Sequence, residues 1–181
     1  MGIAGSGKSM QGRLFADEQG YAWLSAGELL RILVTGKRRQ EMLQGQLLED
    51  EEMIKILDKV FDLINLSEEF VLDGFPRTVV QAMWLLEQVK KDRVHVDAVI
   101  NLVADKNTVR SRLRTRGRAD DTEDAITLRL EEYNAVTRPI INLFKERDLP
   151  VYDIDANQEP QAVHDAIWNH IKDLNIVSND H

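Results

Sequence analysis

The chain has 181 residues, of which 43% are hydrophobic and 30% are charged, and its formal net charge is −8. These values are typical of one soluble globular domain with a substantial core. The negative charge argues against nucleic acid or an anionic membrane as the main partner. The absence of cysteine excludes disulfides and thiol catalysis. With no signal peptide pattern and no apolar run long enough to cross a bilayer, we expect a cytoplasmic protein.

Residues 2–9 match the phosphate-binding loop pattern G-x-x-x-x-G-K-[ST]. Glycines let the backbone curl so that its N–H groups form a concave site for phosphate oxygens. Lys8 adds a positive charge for the β- and γ-phosphates, and the Ser9 hydroxyl can reach an accompanying Mg²⁺. The helix predicted to begin at Lys8 directs the positive end of its dipole at the same anion. The pattern predicts a nucleotide site, against the alternative of a glycine-rich turn that matches by accident.

Hydrophobic periodicity and turn residues predict helices that alternate with strands along the chain. The predicted strands are residues 22–25, 70–73, 98–103 and 151–154. The predicted helices are residues 8–19, 26–35, 36–46, 50–64, 79–89, 126–144 and 160–174, and Pro139 should kink or restart the sixth. This alternation implies a parallel sheet flanked by helices on both faces. Ligands bind such sheets at the carboxyl ends of the strands.

Two of these helices have stripes of apolar residues at helical spacing, which we interpret as core. The stripe of the helix over residues 79–89 contains Val79, Ala82, Met83, Leu86 and Val89. The stripe of the long helix contains Ile126, Leu130, Tyr133, Thr137, Ile140 and Phe144.

The most basic segment alternates arginine with other residues over 110–118 and is followed by two acids, Asp120 and Asp121. Arginine suits bidentate contacts with phosphate. Arg112 and Arg116 are four residues apart and share one helix face. We expect the arginines at 110 and 114, on the opposite side, to be solvated. Asp121 could alternatively begin the next helix, since acids favour that position.

Four segments together resemble the adenylate kinases of the nucleoside monophosphate kinase family. They are residues 2–9, 24–31, 73–78 with Gln81, and 117–121 with Arg129, and the resemblance runs to about residue 174. The Asp-Gly-Phe-Pro-Arg turn at 73–77 is nearly diagnostic by itself. The resemblance implies an α/β, three-layer P-loop NTPase-type fold. It also implies one domain over residues 1–181, with a helical NMP-binding insertion at about 26–66 and a very short lid at about 116–122.

The resemblance implies Mg²⁺-dependent transfer of the γ-phosphoryl group of ATP to AMP, giving two ADP, by positioning and charge neutralisation. The catalytic residues that it implies are Lys8, Asp73, Arg77, Arg112, Arg118 and Arg129. Those for ATP are Gly5, Ser6, Gly7, Lys8, Ser9, Met10, Arg112 and Arg116. Those for the acceptor nucleotide are Ala26, Arg31, Gln46, Leu48, Gly74, Arg77, Gln81, Arg118 and Arg129. Asp120 and Asp121 would orient the lid arginines, and phosphates and water would hold most of the Mg²⁺, with Ser9 and Asp73.

Three departures from the family pattern leave alternatives open. Ser9 and Met10 stand where the family usually has Gly-Thr, although Ser9 keeps a hydroxyl. Ala26 stands where a threonine often lies near the acceptor base, so a kinase for UMP, CMP or GMP is an alternative. Gln81 favours AMP, because in this family a glutamine at that position reads adenine. The short lid has no Cys or His cluster, so we expect no zinc there.

The family's first strand, which lies in mid-sheet and presents the phosphate loop, is represented here by Met1 alone. Losing four or five buried side chains at ~1.5–3 kcal/mol each costs on the order of ten kcal/mol, as much as a typical domain's stability of about 5–15 kcal/mol. We therefore expect the natural gene to begin upstream, or the sheet to rearrange or borrow a strand. An inactive nucleotide-binding module is a further alternative. We expect a monomer that binds small nucleotides, with a dimer as the alternative if the sheet gap drives association.

Overall fold

The chain folds as pairs of parallel strands flanked by helices. The computed structural model describes residues 1–43, 48–118, 121–172 and 174. Within these residues the strands are β1 (Ala22–Ser25), β2 (Phe70–Asp73), β3 (Val99–Val103) and β4 (Val151–Asp155). The helices are α1 (Lys8–Gln19), α2 (Ala26–Leu33), α3 (Gly36–Leu43), α4 (Asp50–Leu63), α5 (Val79–Lys90), α6 (Lys106–Arg116), α7 (Glu123–Glu132), α8 (Arg138–Glu146) and α9 (Pro160–Ile171).

Local sequence signals account for several helix ends. α1 ends at Gly20, whose φ of 72° is the left-handed conformation that glycine adopts without strain. α6 begins after Asp105, whose carboxylate accepts hydrogen bonds from the N–H groups of Asn107 and Thr108. The strands agree with prediction to within one residue. α2 and α9 end two and three residues before their predicted ends, and the predicted end of α3 near residue 46 lies outside the described residues.

The long helix predicted over residues 126–144 is divided in the way that Pro139 predicts. α7 ends at Glu132, a π-helical turn spans Tyr133–Thr137, and α8 restarts at Arg138 with the proline in its first turn. Proline has no N–H to donate to the preceding turn, so the regular hydrogen-bond ladder cannot continue through it. The wider turn shifts the angular phase of the residues on either side of it.

The strands pair in parallel in two separate sheets. β1 pairs with β2 so that Ser25 lies opposite Asp73, and β3 pairs with β4 so that Val103 lies opposite Asp155. Gly2 forms a single parallel bridge with Leu102 of β3. The backbone nitrogen of Met1 donates to the carbonyl of Ile100, and the Leu102 N–H donates to the Met1 carbonyl at 3.1 Å. Residues 1–2 therefore run beside β3 as a very short strand.

A cleft of about 390 Å³ separates the two sheets. Its walls include β2 and the facing side of β3, together with Phe15 of α1, Phe144 of α8 and Ile167 of α9. Within the described residues no strand pairing joins β2 to β3. The predicted parallel sheet is thus present as two halves, and the space between them is mostly apolar and of the kind that a central strand fills.

The buried core lies on both sides of the strands. One cluster packs α4 and α5 against α8, with Leu57, Phe61 and Phe144 almost wholly buried. A second packs β3 and β4 against α9, and a third holds α6 and α7 against the phosphate loop through Leu113 and Ile126. Among the described residues, no helix is both long enough and apolar enough to cross a bilayer.

Two predicted core stripes are partly wrong. In α5, Val79 and Met83 are more than 40% exposed, whereas Gln81 and Gln88 are buried. Polar residues can occupy the core side of a helix when hydrogen bonds satisfy them, and a hydropathy pattern does not detect this. In the long stripe, Tyr133 and Thr137 are only half-buried. They lie in the π-helical turn, which rotates them out of the stripe.

Candidate active site

The phosphate loop leads directly into α1. Gly5 and Gly7 have φ values of 86° and 95°, in the region that favours glycine. A Cβ on Gly5 would lie 2.8 Å from Cγ of Leu113, so α6 packs closely against the loop. The Ser6 N–H donates to the carbonyl of Ile3 at 3.1 Å and closes a tight turn. The loop therefore ends with the free N–H groups of the α1 N-terminus, which form an anion site.

Lys8 is the first residue of α1 and extends back over the loop, where its Nζ lies 3.4 Å from the carbonyl oxygen of Ile3. Burial, and to a smaller extent the positive charge of Arg77, lower the pKa of Lys8 from 10.5 to about 8. A phosphate group would supply the negative charge that this environment lacks.

The carboxyl ends of β1 and β2 place two buried polar side chains beside the loop. Ser25 and Asp73 are the last residues of these strands, and the Ser25 hydroxyl donates to Oδ2 of Asp73 at 3.1 Å. The chain then turns at Gly74, whose φ is 79°. Nε of Arg77 donates to the Gly74 carbonyl at 2.9 Å, and the Arg77 carbonyl accepts from Oγ1 of Thr137 at 2.8 Å. The turn thus fixes the Arg77 guanidinium next to the strand ends.

One cavity of about 150 Å³ collects most of the predicted site residues. Those that line it are Lys8, Ser9, Ala26, Arg31, Leu48, Asp73, Gly74, Arg77, Gln81, Arg116, Arg118 and Arg129. They come from the phosphate loop, from the predicted insertion and from the predicted lid. Segments that are far apart in sequence therefore meet around one strongly basic space.

The predicted insertion and the predicted lid meet through a shared carboxylate. Arg31 donates from Nη2 to Oε1 of Glu28 at 2.6 Å and from Nε to Oε2 at 3.3 Å. Nη2 of Arg118 lies 3.6 Å from Oε1 of the same glutamate. The hydrogen bond from Arg31 is the main reason that the pKa of Glu28 is below its ordinary value. Glu28 thus pairs with two arginines that the sequence predicts to bind phosphate.

Asp121 organises the lid arginines. Its side chain is 1% exposed, and its carboxylate receives hydrogen bonds from both Nε and Nη2 of Arg116. Nη1 of Arg129 lies 3.4 Å from Oδ1, and the Arg118 N–H donates to Oδ2 at 3.1 Å. Burial alone would raise the pKa of Asp121, but the hydrogen bond and charge of Arg116 hold it below the ordinary value. Its partner in the sequence prediction, Asp120, lies outside the described residues.

Several predicted site residues do not line this cavity. The guanidinium of Arg112 donates to the carbonyls of Ala156 and Gln158 at 2.6 and 3.0 Å, on the side of the loop toward β4. Met10 is half-exposed on α1. Gly5, Ser6 and Gly7 form the loop itself, with Ser6 buried. Gln46 lies outside the described residues.

The cavity also contains residues that the sequence did not predict. Glu132, Tyr133 and Thr137 line it from the end of α7 and the π-helical turn, and burial raises the pKa of Glu132. Leu30, Met53 and Phe75 supply apolar surface, with Met53 contributed by α4. The helical stripe assigned Tyr133 and Thr137 to the core. No signal in the sequence pointed to Glu132, because its proximity to Arg77 depends on tertiary packing.

The residues at the loop suit a magnesium ion that is held mainly by a nucleotide. Magnesium prefers oxygen ligands and usually keeps several waters while it binds one or two protein oxygens and substrate phosphates. Ser9 and Asp73 line the same cavity as Lys8, so a hydroxyl and a carboxylate face the place of the phosphates. Among the described residues, no group of three or more His, Cys, Asp or Glu side chains could hold a metal ion by itself.

A parallel α/β fold with a glycine loop, a helix N-terminus and convergent arginines defines a nucleotide-binding phosphotransferase. The family model described as adenylate kinase matches residues 1–149. An adenylate kinase of Prochlorococcus marinus (strain NATL1A) is 35% identical over 173 residues, which cover 92% of this chain and 93% of that protein. The adenylate kinase of Corynebacterium urealyticum is 33% identical over 172 residues, with the same coverage. The chain belongs to the adenylate kinase family.

Membership of this family confirms the predicted fold class and the predicted class of enzyme. The protein is a nucleotide-binding phosphotransferase of the nucleoside monophosphate kinase type. The family uses ATP as the phosphoryl donor, typically with Mg²⁺. The roles of the individual residues stay predictions.

Proposed function

We propose that the protein transfers the γ-phosphoryl group of ATP to AMP and forms two molecules of ADP. The observation that carries the proposal is the single cavity in which Lys8, Arg31, Arg77 and the lid arginines converge beside the phosphate loop. Two nucleotides that meet through their phosphates would bring several negative charges into this space. Six cations around one small cavity match that demand.

The donor would bind at the phosphate loop. The loop N–H groups and Lys8 would hold the β- and γ-phosphates, while Arg116 and Arg129, oriented by Asp121, would approach them from the lid. When bound, Mg²⁺ neutralises charge on these phosphates, and Ser9 together with Asp73 would hold it. The predicted role of Arg112 at ATP requires its guanidinium to leave the carbonyls of residues 156 and 158.

The acceptor would bind on the opposite side of the cavity. Arg31 and Arg77 would hold its phosphate, and the apolar surface of Leu30, Met53 and Phe75 would take its base. In the reaction an acceptor phosphate oxygen bonds to the γ-phosphorus, and the bond from that phosphorus to the β,γ-bridging oxygen breaks. The chain supplies no covalent intermediate. Its contribution is to align the two phosphates and stabilise the charge that spreads over the transferred group.

The test is a coupled assay of ADP formation with ATP, Mg²⁺ and each of AMP, CMP, UMP and GMP. We expect turnover with AMP and a kcat/KM at least tenfold lower for the other acceptors. Arg31→Ala should raise KM for AMP by ten- to a hundredfold, because a charge-assisted phosphate contact contributes about 1.5–3 kcal/mol, and should leave KM for ATP nearly unchanged. Arg38→Ala is the matched control, since Arg38 pairs on the surface with Glu41 and Glu52.

Two other outcomes would change the assignment. Preferred turnover of CMP, UMP or GMP would support a different acceptor, which the small buried side chain of Ala26 favours because it offers the base no hydroxyl. ATP binding without turnover of any acceptor would indicate an inactive nucleotide-binding module, for which the cleft between the two sheets is the structural argument.

A further inference from the structure

The side-chain amide of Gln81 is held in one orientation by two hydrogen-bond partners, of which one is a donor and the other an acceptor. Its Oε1 accepts a hydrogen bond from the backbone N–H of Arg77 at 2.8 Å, and its Nε2 donates to Oδ1 of Asp50 at 2.9 Å. A backbone N–H can only donate and a carboxylate can only accept, so turning the amide over would leave both partners unpaired. Gln81 is 3% exposed, and water cannot easily replace either contact.

Asp50 reaches Gln81 from another helix. It is the first residue of α4, and its Oδ1 also accepts a hydrogen bond from Oγ1 of Thr78 at 2.7 Å. Thr78 caps α5, where the same hydroxyl oxygen accepts from the N–H of Gln81 at 3.2 Å. One carboxylate oxygen therefore connects the first turn of α4 to the first turn of α5.

Gln81 lines the site cavity together with Leu30, Met53 and Phe75. One N–H of its Nε2 is used by Asp50, and among the hydrogen bonds of the described residues the second N–H has no acceptor. The wall of the base pocket thus offers a donor whose direction is set by Asp50. Adenine presents an acceptor at ring position N1, whereas guanine presents an N–H there.

We propose that Asp50 is a positioning residue for acceptor specificity: it keeps the Gln81 amide turned so that an N–H faces the base and favours adenine over guanine. This inference rests on the proposed function, since it assumes that the acceptor base enters beside Gln81. When the wrong base binds, buried polar groups of the site that pair with the right base stay unpaired. This loss of hydrogen bonds is the source of the selectivity between bases.

Asp50→Asn tests the proposal, because it preserves shape but gives an amide that can either donate or accept. Dissociation constants for AMP and GMP are measured by calorimetry on the wild type and the variant. We expect the AMP:GMP affinity ratio to fall about tenfold, with the affinity for ATP unchanged. Glu51→Gln is the control, because it removes one acid from the same first turn, where Glu51 pairs with the exposed Lys55 at 3.7 Å. The AMP:GMP ratio of this control should equal that of the wild type.

Thr78→Val distinguishes an effect on the orientation of the Gln81 amide from an effect on the stability of the fold. It removes the hydroxyl that donates to Asp50 and that accepts from the N–H of Gln81, but it keeps the side-chain contact between Asp50 and Gln81. We expect it to lower the melting temperature and leave the AMP:GMP ratio intact. The proposal is overturned if Asp50→Asn keeps the ratio, or if Thr78→Val lowers it equally. A wild type that binds no AMP overturns the proposed function as well, whereas AMP binding with an unchanged ratio in Asp50→Asn overturns this inference alone.

Discussion

Lys8 combines a positive charge with a half-buried position at the mouth of the phosphate loop. Its pKa of about 8 in the empty protein lies below the 10.5 of the unfolded chain, mainly because of burial. Between these two values the unfolded state binds more protons than the folded state. The contribution of Lys8 to the free energy of unfolding therefore rises with pH from about 8 to 10.5 and is lowest below that window.

This proton equilibrium predicts that ATP binding takes up a proton. Phosphate charge next to Nζ raises the pKa of Lys8, so at pH 8.5 we expect uptake of about 0.7 proton per ATP, given a pKa of about 8. Calorimetry in two buffers of different ionisation enthalpy measures it. Lys8→Arg is the control, because a guanidinium stays protonated and its uptake should be close to zero. Equal uptake in both proteins would contradict the assignment to Lys8.

Sequence was most informative where a residue acts on the backbone close to it in the chain. Gly20 ends α1 and Asp105 caps α6, and both effects depend only on residues nearby in the chain. Asp50 and Glu132 could not be predicted, because their contacts with Gln81 and with the cavity exist only after distant helices pack. The burial of Gln88 is similar, since its Oε1 accepts from Arg93 in the loop after α5.

Among the elements, the strands were predicted almost to the residue. Their alternation with helices predicts one parallel sheet, whereas the missing first strand predicts that the sheet must rearrange, and β2 and β3 are indeed held apart by a cleft. The form of the rearrangement, two separate pairs of strands, depends on tertiary packing and could not be predicted from local sequence. Met1 and Gly2 pair with β3 only at the level of Ile100 and Leu102.

Because the cleft is of the kind that a central strand fills, we expect added strand residues to increase the free energy of unfolding. A chain extended before Met1 by five apolar, β-branched residues can pair with β3 and β2 and bury its side chains on both faces. Burial at ~1.5–3 kcal/mol per side chain, less about 1.5 kcal/mol per residue for ordering, gives a net gain of a few kcal/mol. Thermal unfolding measures it. A Gly/Ser extension of equal length is the control, and an equal gain with it would contradict the role of strand pairing.

At the scale of the whole molecule, one carboxylate connects the predicted insertion to the predicted lid. Glu28 belongs to α2, and its Oε1 lies near Nη2 of both Arg31 and Arg118. Under the proposed function, acceptor phosphate would compete with Glu28 for these cations. Exposed ion pairs of this kind are weak and are screened by salt, so the competition is modest.

Replacing Glu28 by glutamine should therefore favour the acceptor. We expect Glu28→Gln to lower the dissociation constant for AMP by about two- to fivefold at low salt, consistent with the small energies of exposed pairs, and the difference should shrink at 0.5 M salt. Calorimetry with AMP measures it. Glu41→Gln is the matched control, since Glu41 pairs with Lys37 and Arg38 on α3. Weaker AMP binding in Glu28→Gln would show that Glu28 positions Arg31 rather than competing for it.

The cleft and the site cavity share a wall. Met1, Lys8, Asp73 and Phe75 line both spaces. A molecule that occupies the cleft and displaces any of these side chains changes the affinity of the protein for nucleotide. Thermodynamic linkage then requires that bound nucleotide change the affinity of the protein for that molecule by the same factor. An apolar dye bound between the sheets would thus report nucleotide occupancy without touching a phosphate.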